Sequence, residues 1–156
     1  MSETLTVTHT ETLTLNGSAE GKTNTQTITG INDVYKRIVT CINDVDTTLV
    51  TFRAAVNTAD SAMDIELVKY IRITNLDSAD PLHLSLQVDT GTDGADHQAS
   101  IHVAAGQTFI MGKTDEGIAV SDGDSNVDTT LNDLESIIAH PTGGDSLQVE
   151  VFIASA

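Results

Sequence analysis

The stretch Leu5-Thr6-Val7-Thr8-His9-Thr10-Glu11-Thr12-Leu13-Thr14-Leu15 nearly alternates apolar and polar positions. A period of two turns one face of an extended strand toward a core and the other toward water. Residues 3 to 16 therefore read as one long strand or a strand pair. Asn16-Gly17-Ser18-Ala19-Glu20-Gly21 reads as a turn, because Asn-Gly favours the positive φ that tight turns need. Thr23 to Thr29 alternates weakly and is almost wholly polar, which suits an edge strand or an arm laid on a neighbour. Gly30-Ile31-Asn32-Asp33 is expected to break it.

The pattern then recurs. Tyr35 to Ile42 reads as a strand, Asn43-Asp44-Val45-Asp46 as a turn, and Thr47 to Ala55 as the next strand. Asn57 to Asp64 reads as loop. Ile65 to Asn75 has two clean parities and reads as a strand. It is expected to pair as a hairpin, through Asp77-Ser78-Ala79-Asp80-Pro81, with the alternating run Leu82, Leu84, Leu86, Val88. Shorter strands follow at Ser100 to Val103 and Gln107 to Met111, around a tight turn at Ala105-Gly106, and Asp115 to Asp128 reads mostly as loop. Residues 131 to 139 are ambiguous: Leu131, Leu134 and Ile138 fit a helical stripe, whereas Leu134 to His140 fits a strand. The strand is preferred because everything around it is β. Leu147 to Ala154 closes the chain as a strand. About eight to ten short strands with regular turn signals point to an all-β fold, an antiparallel β-sandwich of jelly-roll type. Residues 1–30 are expected to form an extended N-terminal strand or arm, and residues 31–156 a single sandwich domain.

Composition sharpens this. The chain has 156 residues, enough for one domain with a real core. Aromatic residues make up only 3% and Trp is absent, so the core must be built from Val, Ile, Leu and Ala, with no obvious stacking platform for sugars or single-stranded bases. Asp and Glu number 23 against 7 Lys and Arg, a formal net charge of -16. That balance repels phosphate backbones and anionic membrane surfaces, so neither nucleic acid nor membrane is expected as a partner. It also suits salt water, where screening weakens self-repulsion. Cys41 is the single cysteine and sits in an apolar run, where a buried, inert thiol is expected. Met1-Ser2-Glu3-Thr4 shows neither a basic nor an apolar leader segment, so a signal peptide is not expected and assembly in a cytoplasm is.

Candidate chemistry is sparse. Asp122, Asp124, Asn126 and Asp128 fall at alternate positions and resemble the first ligands of a calcium loop, since hard oxygen donors on a loop are what Ca²⁺ takes. Val127 stands where such a loop needs Gly, and Asp133 where it needs a bidentate Glu. A solvated acidic turn is the competing reading, and no other cofactor is expected. Asp89 to Asp96 is a second acidic loop. Of His9, His83, His97, His102 and His140, the pair His97 and His102 matches no standard zinc spacing, and His83 and His102 are expected on the solvent face of alternating strands. Lys36, Arg37, Arg53, Lys69 and Arg72 sit in strands and are expected to pair with acids. No nucleophile elbow, phosphate loop or dinucleotide fingerprint appears. No catalytic residues are assigned, and the chain is not expected to be an enzyme.

Several segments together carry a resemblance: Glu11 to Gly17, Val34 to Val39, Tyr70 to Asp77, Val103 to Ile110 and Leu147 to Ala154. The series is similar to small β-rich virion structural proteins of tailed marine bacteriophages, of capsid-decoration or tail-associated type. The resemblance implies a β-sandwich in the virion, forming a homo-oligomer, most simply a trimer, that contacts the major capsid protein or other virion proteins. It supplies no site residues. The role it implies is a capsid decoration or cement protein bridging capsomers, with Thr4 to Thr29 as the intersubunit arm. The alternatives are a tail or head-fibre component, and a carbohydrate-binding jelly-roll module with calcium at Asp122 to Asp128.

Overall fold

The structure, a computed structural model, describes residues 3–53, 62–88, 97–112, 119–120 and 131–156. The chain opens with β1 (Glu3–Thr10), β2 (Thr14–Leu15), β3 (Ser18–Ala19) and β4 (Thr23–Ile31). β1 pairs antiparallel with β4, and β2 with β3, so residues 3–31 fold back on themselves as a two-stranded ribbon. Its tip is the Asn-Gly turn: Asn16 has φ 51° and Gly17 φ 82°, the positive pair that a tight two-residue hairpin requires. The Glu11 N–H donates to the Lys22 carbonyl at 2.9 Å, and the Glu20 N–H to the Leu13 carbonyl at 2.9 Å. A Cβ at Gly21 would run into the Glu11 carbonyl, so only glycine lets the two backbones approach there. The break expected over Gly30 to Asp33 falls at Asn32. β4 continues through Gly30, at φ 78°, to Ile31, and the chain turns only at Asn32, because glycine absorbs the irregularity inside the strand.

The remaining strands are β5 (Asp33–Cys41), β6 (Thr47–Arg53), β7 (Ala62–Asp64), β8 (Val68–Asn75), β9 (Leu82–Val88), β10 (His97–Val103), β11 (Thr108–Gly112), β12 (Ala119–Val120), β13 (Asn132–Pro141) and β14 (Leu147–Ser155). One sheet has the order β11-β8-β14-β5. The other has the order β10-β9-β13-β6-β7, with β12 added on β13. Pairing is antiparallel throughout except for the short parallel contact of β6 with β7. The two sheets face each other. Val39, Ile71, Ile73, Val149, Val151 and Ile153 from the first pack against Leu49, Phe52, Leu82, Leu84, Leu134 and Ile137 from the second in one buried cluster. The fold is thus all-β and sandwich-like, with an aliphatic core. Residues 132–141 are a strand, as the β surroundings argued.

Three local expectations are corrected. Ile65 to Leu67 is a 3₁₀ turn rather than the start of a strand. The Asp64 carboxylate caps it by accepting from the Glu66 N–H at 3.1 Å. In a strand, Ile65 and Leu67 would share a face; the turn buries Ile65 and leaves Leu67 exposed. Within the expected loop from Asn57 to Asp64, Ala62–Asp64 is a strand. The expected hairpin of β8 with β9 does not form. Each strand carries an apolar row (Ile71 and Ile73; Leu82, Leu84, Leu86 and Val88), and the rows are buried by facing each other across the sandwich rather than by lying side by side in one sheet.

Connections 42–46, 76–81, 104–107 and 142–146 meet at one end, where backbone bonds join them: the Asp44 N–H donates to the Pro141 carbonyl and the Thr142 N–H to the Pro81 carbonyl. Asn75 is the buried polar residue that organises this end. Its amide donates to the carbonyl oxygens of Asp80 (2.9 Å), Ala104 (3.3 Å) and Val103 (3.5 Å), and its side-chain oxygen accepts from the Asp77 N–H (3.0 Å).

Candidate functional site

Two features of the surface stand apart from the sandwich's structural needs. The first is the ribbon. Its base lies across the outer face of the β11-β8-β14-β5 sheet, where Ile28 and Ile31 are buried against Tyr70 and Ala154, with Leu5, Val7, Ile110 and Phe152 packed around them. The Lys69 ammonium donates to the Thr29 carbonyl at 3.3 Å, and the Asn32 N–H to the Ser155 carbonyl at 2.9 Å. Beyond that base, every residue from Thr8 to Thr25 is exposed. Leu13 and Leu15, at 55% and 57% exposure, point into solvent near the tip. A two-stranded ribbon without a packed face is marginal in water. Here about half of the ribbon has nothing under it among the described residues.

Beside the ribbon base, two of the five cations expected to pair with acids do so among the described residues, Lys36 and Arg72, whereas Arg37 donates to the Tyr35 hydroxyl and Lys69 to a backbone carbonyl. Glu150 accepts from Lys36 at 3.1 Å and also from Arg72. The Arg72 guanidinium lies 5.5 Å from the centre of the Phe152 ring, which meets Tyr70 edge to face at 6.1 Å. Burial raises the Tyr70 hydroxyl pKa against the opposing effect of the Arg72 charge. Val34 and Ile38 on β5, the edge strand of this sheet, and Ile42 just beyond its end are about half exposed.

The second feature is on the outer face of the other sheet. β13, β9 and β10 are neighbours, and their register places His140 opposite His83 and His83 opposite His102. The next rows are Ile138, Ser85 and Ser100, then Ser136, Gln87 and Gln98. Leu82 and Leu84 alternate inward, so His83, Ser85 and Gln87 turn outward, as the alternation predicted. The His83 and His102 rings stand with centres 5.3 Å apart. His140 Nδ1 lies 2.7 Å from an Asp46 carboxylate oxygen. Ser85 donates to Gln98 at 2.9 Å, and the Gln87 amide to Ser85 at 2.6 Å and to Gln98 at 3.1 Å. A cavity of about 260 Å³ opens over Asp46, His83, Ser85, Gln87, Gln98, Ser100, Ile138 and His140. The grouping was not readable from spacing, because the three histidines come from three different strands. Strand register alone brings them together.

Other sequence candidates fall elsewhere. The calcium-like set Asp122, Asp124, Asn126 and Asp128 and the acidic loop Asp89 to Asp96 lie outside the described residues. Among the described residues, no group of three or more His, Cys, Asp or Glu side chains converges on a single ion position. His9 lies on β1, in the exposed part of the ribbon. Cys41 is fully buried in the core. Burial pushes its thiol pKa up against a hydrogen bond with Thr47, so the reactive thiolate is disfavoured. The Asp77 carboxyl is held below its usual value by the backbone N–H groups of Asp80 and Ala79, which makes it a loop organiser. Set against known proteins, the chain matches no family model, no curated protein and no solved structure.

Proposed function

We propose that this is a non-enzymatic structural protein of a virion, a capsid decoration or cement protein that acts as a homo-oligomer, most simply a trimer, and grips its neighbours through the N-terminal ribbon. The ribbon is the observation that carries the reading. Ordering a chain costs about 1–2 kcal/mol per residue, and the segment from Thr8 to Thr25 recovers almost none of that through burial within its own subunit. A partner that covers Leu13 and Leu15 supplies the missing contact. The half-exposed apolar row on β5 and that strand's outer edge offer another copy a surface of the matching kind. The strand order adds support. Leaving aside the ribbon, β7 and β12, the eight sandwich strands counted in chain order form the sheets 6-3-8-1 and 5-4-7-2. We read that order as the wrapping of a jelly roll, an architecture used by viral shell proteins and lectins. The acidic surface, at net charge -16, keeps free subunits apart until a specific contact forms.

Sedimentation velocity of the full chain tests the reading. The expected result is a defined oligomer that falls to monomer when Leu13→Ser and Leu15→Ser are introduced together, with the circular dichroism of the sandwich unchanged. A chain that stays monomeric at high concentration, or an oligomer indifferent to both substitutions, would overturn the ribbon as the gripping element.

A tail or head-fibre position uses the same ribbon and differs only in what it holds. The carbohydrate-binding alternative draws on the Ser-, Gln- and His-lined cavity over β9, β10 and β13, whose hydroxyl and amide groups suit sugar hydroxyls. Saturable glycan binding that is lost in Gln87→Ala would favour it.

A further inference from the structure

We propose that the outer face of β9 and β10 is a binding site for a tetrahedral transition-metal ion, of which zinc is the natural occupant, with His83 and His102 as its chelating pair and His140 as a third donor. The inference rests on the histidine geometry and is independent of the ribbon. Zn²⁺ holds an imidazole nitrogen about 2.0–2.1 Å away, with the ring centre about 1.2 Å further out; at the tetrahedral angle, two such rings have centres about 5.2 Å apart. At a right angle, as in square-planar or octahedral coordination, the spacing falls to about 4.5 Å. The observed separation of the His83 and His102 ring centres is 5.3 Å. The two rings, which meet edge to face at 63°, thus stand at a centre spacing that one tetrahedral ion can bridge once their nitrogens turn toward it.

The backbone holds that spacing. His83 and His102 are directly opposite in the β9-β10 ladder, which continues in register from His97↔Val88 to Val103↔Leu82 without a bulge. On either side of each histidine, Leu82, Leu84 and Val103 are buried and Ile101 is partly buried, which fixes the strands' faces and keeps both imidazoles outward. Both rings are exposed, so water can complete the coordination sphere. His140 is the next residue in the row, opposite His83, and its Nδ1 contacts the Asp46 carboxylate at 2.7 Å. A carboxylate on the second ring nitrogen is the usual outer support of a metal-bound histidine. His140 therefore stands beside the chelating pair already oriented by its own carboxylate, as a third donor recruited when the ion binds. The histidines belong to three separate strands, so no sequence spacing announces the site.

The test uses the full chain, titrated with Zn²⁺ by calorimetry and with Co²⁺ by visible absorption, where tetrahedral coordination gives intense bands. The expected result is one saturable site per chain with a tetrahedral Co²⁺ spectrum, abolished in His83→Gln/His102→Gln and weakened about tenfold in Asp46→Asn. His9→Gln is expected to leave it unchanged. The substituted positions are outward-facing, and unchanged circular dichroism of each variant establishes that the fold is kept. Absence of saturable binding up to millimolar Zn²⁺ would overturn the proposal. So would binding that survives in the double variant, which would place the ion elsewhere in this acidic chain, and so would an octahedral Co²⁺ spectrum.

Discussion

Replacing Ile28 by Ala separates the ribbon from the sandwich energetically. Ile28 is fully buried, yet it belongs to the small cluster under the ribbon base and not to the inter-sheet core. Burying a large aliphatic side chain contributes about 1.5–3 kcal/mol. Ile28 and Ile31 together, with the half-buried Leu5 and Val7, therefore hold the ribbon with about 5–9 kcal/mol before the cost of ordering it is subtracted. Truncating a buried Ile to Ala costs about 2–5 kcal/mol, and a site at the sheet surface, where neighbours can settle into the gap, belongs at the low end, about 2–3 kcal/mol. At about 1.4 kcal/mol per factor of ten, the docking equilibrium moves about 30- to 140-fold toward the released ribbon. A released two-stranded ribbon frays. Native-state hydrogen exchange should then show the amides of β4 exchanging faster by that factor, while those of β14 and β9 keep their protection. Ile71→Ala, in the inter-sheet core on β8, is the contrast: it should lower global stability by about 2–5 kcal/mol and accelerate every protected amide together. If Ile28→Ala lowers global stability as much as Ile71→Ala does, the ribbon is part of the core's cooperative unit and the reasoning fails. It fails equally if β4 exchange is unchanged.

Three further outcomes follow from the site geometry. Asn75→Ala leaves the Asp80, Val103 and Ala104 carbonyls without their shared donor and should cost about 2–3 kcal/mol in urea denaturation; a neutral result would show that water replaces the amide freely. Glu150→Gln removes the carboxylate between Lys36 and Arg72 and should cost about 1–2 kcal/mol in dilute buffer, less in concentrated salt; a loss independent of salt would mean the contact acts by shape and not by charge. The folded-state pKa of Asp77 lies below its usual 3.8, so the unfolded chain takes up that proton first. Its contribution is fully present above that usual value and lost as pH falls through the folded one, so Asp77→Asn should flatten the acid limb of the stability curve and leave a smaller difference from the parent at the lowest pH.

How far the sequence carried these conclusions depends on whether the deciding contact was local. Leu82, Leu84, Leu86 and Val88 announce their strand because one strand face is a local property, and all four are buried. Asn16-Gly17 announces its turn because positive φ is a property of those two residues. The strand at 132–141 was legible only by context, since Leu134 and Ile138 fit either period, and it is the neighbouring strands that fill its hydrogen bonds. Partnership between strands was not legible. An apolar row says that a face must be buried and not what buries it, so β8 and β9 read as a hairpin although they lie in opposite sheets. The same limit hid the histidine row. His83 and His102 were each correctly turned to solvent, but that they are opposite each other, with His140 alongside, is a fact of register across three strands. The cations of β5 and β8 read as paired, and Lys36 and Arg72 do share Glu150, though nothing in the sequence singled out that carboxylate.

The proposed role, holding a virion shell together through the ribbon, is tested most directly by cryo-electron microscopy of the assembled particle that contains this chain. Density is expected on the outer capsid at three-fold or quasi-three-fold positions, with the tip at Leu13 and Leu15 seated on a neighbouring subunit. Density confined to the tail or fibres would contradict the cement role, and a ribbon standing free of any neighbour would contradict the mechanism.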